Sequence, residues 1–149
     1  MCLIIDVNVV HKFFPEPSED FKPIHKAIDE GRAKLVYGGE LTREYRKTAA
    51  FRRFLFRLDQ QGKARQVADS KVDAETKRLS EGSFCVSDDP HIIALARVGA
   101  VRLLCSEDEA LATDFTNQAL LGKPRGSVYK RAEHAHLLHK HCSNLAASR

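Results

Sequence analysis

Three short apolar runs, far apart along the chain, constrain the fold more than any other feature of this sequence. They are Cys2–Ile5, Lys34–Tyr37 and residues 101–105. The first run is rich in isoleucine and ends at Asp6, which is typical of a strand buried on both faces. The sequence therefore predicts three short strands in the interior of a sheet.

The segments between these runs have helical patterns. Phe21, Ile24 and Ile28 are spaced three and four residues apart, which indicates an amphipathic helix. Helices are predicted over residues 21–31, over 40–79 with a break near Gln61 and Gly62, over 91–98 and over 106–115, and a short edge strand near Val128. The order β-α-β-α-α-β-α predicts an α/β fold, a three-layer α/β/α sandwich around a mainly parallel sheet.

Composition places the chain among globular proteins. A length of 149 residues suits one domain, and 43% hydrophobic with 30% charged residues excludes disordered, collagen-like and coiled-coil classes. No apolar run approaches the roughly 18 residues that cross a membrane, and the N-terminal stretch makes a poor signal peptide, so a cytoplasmic location is expected. The four cysteines lack paired spacing and are interpreted as reduced.

Basic residues are concentrated in two regions. Residues 43–78 hold eleven Lys and Arg against five Asp and Glu, and residues 115–149 hold six against one. Because the whole chain has 24 basic and 20 acidic residues, the remainder is acidic on balance. This distribution suits a protein that binds a polyanion in one place and a cation in another, although basic helix faces are as often only solvated.

Carboxylates follow each predicted strand. Asp6 ends the first strand, Glu44 lies about one helical turn beyond the second, and Asp108 lies three residues beyond the third. Parallel strands end at one edge of a sheet, so these acids are expected to converge, and Asp89 can join them from a neighbouring loop. Gathered carboxylates repel each other unless a divalent cation relieves the repulsion, which predicts a metal-dependent nuclease.

Each acid except Asp6 also has a structural interpretation. Asp89 precedes Pro90, a usual arrangement at the start of a helix. Ser106 with Glu109 fits a capping box, in which Asp108 only favours the positive end of the helix dipole. Glu44 has basic neighbours along the chain with which to pair.

Four stretches in order resemble the PIN-domain family of nucleases, whose bacterial members include VapC-type toxins. They are LIIDVNVV with Asp6 and Asn8, GGELTREY with Glu44, DDPHIIALA with Asp89, and LLCSEDEAL with Ser106 and Asp108. The resemblance covers roughly residues 2–130 and implies a PIN-like nuclease domain over residues 1–130. Glu40 remains an alternative to Glu44, and Asp88 an alternative to Asp89.

The resemblance also implies roles. Asp6, Glu44, Asp89 and Asp108 would bind Mg²⁺ or Mn²⁺, Asn8 and Ser106 would orient the ligands or water around the ion, and Asp114 would extend the acidic cluster. The implied reaction is endonucleolytic hydrolysis of RNA, with an antitoxin protein and a second copy of the chain as further partners. The alternative is a non-catalytic PIN-like module that binds RNA or a protein.

Basic residues offer contacts for the RNA backbone. The candidates are Arg46, Lys47, Arg52, Arg53 and Arg57. A basic C-terminal helix or tail is predicted over residues 131–149, with histidines at 134, 136, 139 and 141. No two of these histidines are four residues apart, so a tail that assists binding is favoured over a zinc site.

Overall fold

The computed structural model describes residues 2–139, with a five-stranded parallel sheet in the order β3-β2-β1-β4-β5. The strands are β1 Cys2–Ile5, β2 Lys34–Tyr37, β3 Ala64–Gln66, β4 Leu103–Cys105 and β5 Ser127–Tyr129. Leu3 pairs with Leu35 of β2, and Ile4 pairs with Leu104 of β4, so β1 is central. The predicted α/β fold with helices on both faces of the sheet is confirmed.

Eight α-helices flank this sheet in the described part of the chain. They are α1 Val10–Phe13, α2 Lys22–Asp29, α3 Glu40–Arg46, α4 Ala49–Gln60, α5 Asp69–Glu81, α6 Pro90–Gly99, α7 Glu109–Phe115 and α8 Gln118–Leu121. Three 3₁₀ helices span Val7–Val9, Glu19–Phe21 and Ala132–His139. None of the helices described is long and apolar enough to cross a membrane.

The strand β3 was not predicted, because the sequence analysis assigned all of residues 40–79 to helices. The residues of β3 are only half-buried or exposed, so the strand has no apolar run by which the sequence could indicate it. The break itself was predicted correctly: α4 ends at Gln60, and Gly62 adopts a φ of +71° that favours glycine. The edge strand near Val128 is β5.

The core lies on both sides of the three middle strands. Every residue of β1 and β4 is buried, and α6 has seven buried residues. This continuous burial explains why these strands have uninterrupted apolar sequences instead of alternating ones. The middle strands therefore form a rigid platform for the residues that follow their carboxyl ends.

The C-terminal segment packs against this domain as far as it is described. Ala132–His139 is a 3₁₀ helix in which Leu138 is buried. Nδ1 of His134 accepts a hydrogen bond from the Lys130 N–H at 3.0 Å, and the His136 ring lies 3.2 Å from the Glu133 carbonyl. His141 and the rest of the predicted tail lie outside the described residues.

Arg102 is a buried cation that joins the segments around β4. Its guanidinium donates to the carbonyls of Ala96, Val101, Leu121 and Pro124 at 2.5–3.1 Å. The side chain is 8% exposed, so these carbonyls have little access to water. Burial of the charge is compensated by hydrogen bonds to carbonyl dipoles.

Arg102→Met is expected to destabilise the fold by about 2 kcal/mol or more, because it leaves several buried carbonyls without a donor. Urea denaturation of the two proteins measures this difference. Arg53→Met is the control, since Arg53 is exposed and should change stability little. Equal stabilities for wild type and Arg102→Met would show that water replaces the guanidinium at no cost.

Candidate active site

Asp6 lies directly beyond the central strand and is 3% exposed. Its backbone N–H donates to the carbonyl of Cys105 at 2.9 Å, which joins it to the end of β4. The Ser106 hydroxyl donates to its Oδ2 atom at 2.8 Å, and the backbone N–H of Asn8 also donates to the carboxylate. The side chain is thus fixed at the sheet edge by two neighbouring segments.

Glu44 reaches the same region from α3. The Tyr45 hydroxyl donates to the Ile5 carbonyl and so attaches this helix to the end of β1. Oε1 of Glu44 lies 3.1 Å from Nε2 of His91. Glu40, the alternative acid, instead pairs with Arg43, whose Nε lies 2.9 Å from it.

Asp89 precedes α6 and faces these two acids. It is half-buried, whereas Asp88 is exposed. Its carboxylate makes no capping hydrogen bond to the helix, so the capping role considered for it is absent. The charge of Asp89 acts on both Asp6 and Glu44, which favours it over Asp88 as the site acid.

The electrostatics of the three acids reflect burial more than pairing. Burial raises the pKa of Asp6 above 3.8, Asp89 raises it further, and the Ser106 hydrogen bond partly offsets the increase. Burial also raises the pKa of Glu44, the His91 ring lowers it, and the charges of Asp6 and Asp89 raise it. Among residues 2–139, no Lys or Arg forms an ion pair with any of the three.

Asp108 has a capping role, and the predicted capping box is wrong. Asp108 itself is the N-cap of α7, and its Oδ1 accepts from the Leu111 N–H at 3.0 Å. Ser106 lies before the helix, where its hydroxyl oxygen accepts from the Asp108 N–H at 3.1 Å while its proton goes to Asp6. Ser106 therefore connects the two acids, although Asp108 is not among the leading charges that act on Asp6 or Glu44.

Asp114 holds the loop that leads to Asp89. It is 2% exposed and accepts from the N–H groups of Val86 and Ser87 at 3.0 and 2.9 Å. Its carboxylate is satisfied by these amides. It positions the site through the loop, and no contact joins it to Asp6, Glu44 or Asp89 in the described part of the chain.

His91 belongs to the site but was missed by the sequence analysis. It is 8% exposed at the start of a helix that is mostly apolar, and it contacts Glu44. Its only sequence signal is its place two residues after Asp89. Asn8 was expected to orient ligands or water with its side chain. Its backbone N–H instead donates to the Asp6 carboxylate, and its side chain is exposed.

The five basic residues predicted to bind RNA are all exposed. Arg52 turns towards the end of α3, where its Nη1 donates to the Arg46 carbonyl at 3.1 Å. Arg57 turns the other way, with its guanidinium 5.9 Å from the centre of the Phe54 ring.

The donor set of the site fits a hard divalent cation. As placed, no three His, Cys, Asp or Glu side chains among the described residues lie close enough together to hold a metal ion. Mg²⁺ does not require such a group, because it typically binds one or two carboxylates and keeps several waters. One buried and two half-buried carboxylates without a Lys or Arg partner among the described residues supply that chemistry and gain from a cation.

Comparisons with known proteins identify no relative: no protein-family model, no curated protein and no solved structure matches this chain. The interpretation of the site therefore depends on its residues and on the motif resemblance.

Asp6→Asn is expected to be more stable than the wild type near neutral pH. The folded pKa of Asp6 lies above its usual value, so ionisation costs stability as pH rises from about 3.8 through the folded pKa. Asparagine avoids this cost and still accepts from Ser106. Urea denaturation should show a difference between variant and wild type that grows from about pH 4 to about pH 7.

The matched control is Asp88→Asn, in which an exposed acid near the site is neutralised. It should show no such pH-dependent gain. A loss of stability in Asp6→Asn that is equal at both pH values would contradict the assignment of a raised pKa to Asp6.

Proposed function

We propose that this protein is a metal-dependent endoribonuclease that uses Mg²⁺ or Mn²⁺ to hydrolyse phosphodiester bonds in RNA. The observation that carries the proposal is that Asp6, Glu44 and Asp89 are near enough for their charges to act on one another, while none has a Lys or Arg partner among the described residues. Burying like charges together is unfavourable, and a divalent cation is the group that makes it favourable.

In this proposal, the cation would lower the pKa of the attacking water and stabilise charge on the phosphate. Asp6 is the fixed ligand, because Ser106 and the Asn8 N–H orient its carboxylate before any ion arrives. Glu44 is held towards the site by His91, and Asp89 presents its carboxylate from the start of α6. Asp108 stands next to this group through Ser106 and is the fourth acid of the proposal.

RNA is the proposed substrate because α3, which carries Glu44, and the helix after it also carry exposed basic side chains. Arg46 follows Glu44 by two residues on α3, and Arg52 and Arg53 lie in the first half of α4. Such residues attract phosphate groups without reading sequence. The resemblance to VapC-type toxins extends the proposal to a toxin that is neutralised by an antitoxin protein and acts as a homodimer.

Metal binding is expected to raise the melting temperature of the wild type. At a Mn²⁺ concentration about ten times Kd, the stabilisation is about 1.4 kcal/mol, or roughly 3–6 °C for a chain of this size. Two pairs of variants that remove one carboxylate charge each identify the metal ligands by thermal shift. Asp89→Asn is compared with Asp88→Asn, and Glu44→Gln is compared with Glu40→Gln. Asp89→Asn and Glu44→Gln should weaken the response, and their partners should retain it.

A response lost equally in both members of a pair would show that the assignment of Asp89 or Glu44 is wrong. No response in the wild type at millimolar Mn²⁺ would favour the alternative, a non-catalytic module that binds RNA or a protein.

Cleavage of RNA is expected to require both the metal and Asp6. Purified protein is incubated with tRNA and single-stranded RNA, with Mg²⁺ or Mn²⁺ or with a chelator, beside Asp6→Asn. Cleavage should occur only with wild type and metal, and Asp6→Asn should lose at least about 100-fold in rate, as for other groups that act on the transition state. Equal cleavage by both proteins would place the activity elsewhere or in a contaminant.

A further inference from the structure

A groove between α3 and α4 is separate from the three acids, and none of them lines it. It encloses about 230 Å³, with basic, aromatic and acidic side chains around it. Its walls are formed by Tyr37, Arg46, Arg52, Leu55, Phe56 and Asp59. Tyr37 ends β2 and Arg46 ends α3, so the groove opens beside the strand ends that carry the site.

Phe56 gives the groove an exposed aromatic face. It is 60% exposed, although a ring of this size gains most by burial. On α4 it has Arg52 four residues before it and Asp59 three residues after it, on the same side of the helix, and both line the groove with it. An exposed aromatic ring among arginines is the arrangement on which single-stranded nucleic acids stack their bases.

Asp59 gives the groove an acceptor that is already oriented. The Tyr37 hydroxyl donates to its Oδ2 atom, and burial together with Asp59 raises the pKa of Tyr37, so this hydroxyl keeps its proton. Among the described residues, no side chain or backbone group donates to Oδ1 of Asp59, and no Lys or Arg forms an ion pair with it. One carboxylate oxygen is thus free for a ligand in a basic setting.

We propose that this groove binds one unstacked guanine of a single-stranded RNA, with the base stacked on Phe56 and its edge bound to Asp59. Guanine suits Asp59 because its N1–H and N2–H groups are adjacent donors, whereas the other bases place an acceptor beside their donor. Arg46 and Arg52 would contact the flanking phosphates. Charge complementarity favours RNA over a protein partner here. The proposal rests on the proposed function, since the strand bound here is the one cleaved at the acids.

The test measures binding without divalent ions, so it does not depend on cleavage. Fluorescence anisotropy compares a short uridine oligonucleotide that carries one central guanine with the same strand carrying inosine, which lacks the N2 amino group. Wild type should bind the guanine strand about fivefold or more tightly, and Asp59→Asn should remove this preference. Phe56→Leu should weaken binding of both strands about tenfold, and Phe56→Tyr should restore it.

Phe84→Leu is the matched control, because Phe84 is also exposed, at 53%, with the Arg78 guanidinium 5.8 Å from its ring centre. It should bind RNA as the wild type does. Unchanged affinity in Phe56→Leu, or an equal affinity of wild type for guanine and inosine strands, would overturn the proposal. A change from dimer to monomer in Phe56→Leu by sedimentation, with RNA affinity unchanged, would instead make this face an interface between copies.

The two proposals fail separately. If the protein cleaves RNA with metal, but its RNA affinity is unchanged by the Phe56 and Asp59 substitutions, only the guanine subsite is overturned. Guanine-dependent binding by a protein that never cleaves RNA would overturn only the nuclease.

Discussion

The burial of the Asp6 carboxylate at the end of the central strand is the constraint on which the rest of the site depends. A carboxylate that is 3% exposed and faces two other acids must be supported by hydrogen bonds or lose its charge. The Ser106 hydroxyl and the Asn8 N–H give that support. Ser106 directly follows β4, and Asn8 lies two residues after Asp6. The site is therefore a property of the sheet edge and not of one loop.

The fold compensates for this unfavourable cluster with rigid attachments around it. The Tyr45 hydroxyl joins α3 to the end of β1, and Asp114 binds two amides of the loop before Asp89. Each attachment uses a buried polar side chain whose hydrogen bonds are complete, the condition under which such groups add specificity without loss of stability. Acids that repel each other are thus held near each other by neutral donors instead of by cations.

The sequence predicts the parts of this arrangement that depend on strong local patterns. The middle strands follow from apolar runs, and Asp6 follows from its place after the first of them. Ser and Asp are both good N-caps, so local chemistry could not decide between Ser106 and Asp108, and the contact with Asp6 determines it. His91 was missed because a histidine within an apolar helix is usually only part of the core, and its contact with Glu44 comes from tertiary packing.

Helix α3 separates two regions of opposite charge. Glu44 and Arg46 are two residues apart, and a rotation of about 200° puts their side chains on opposite sides of the helix. In the proposed nuclease, an RNA strand is attracted by the arginine side and repelled by the acidic side until a cation is bound. Because this coupling is reciprocal, RNA must raise the affinity for the cation by the same factor as the cation raises the affinity for RNA. In that proposal, the lack of three close ligands among the described residues is expected, because the phosphate oxygens of the substrate would complete the site.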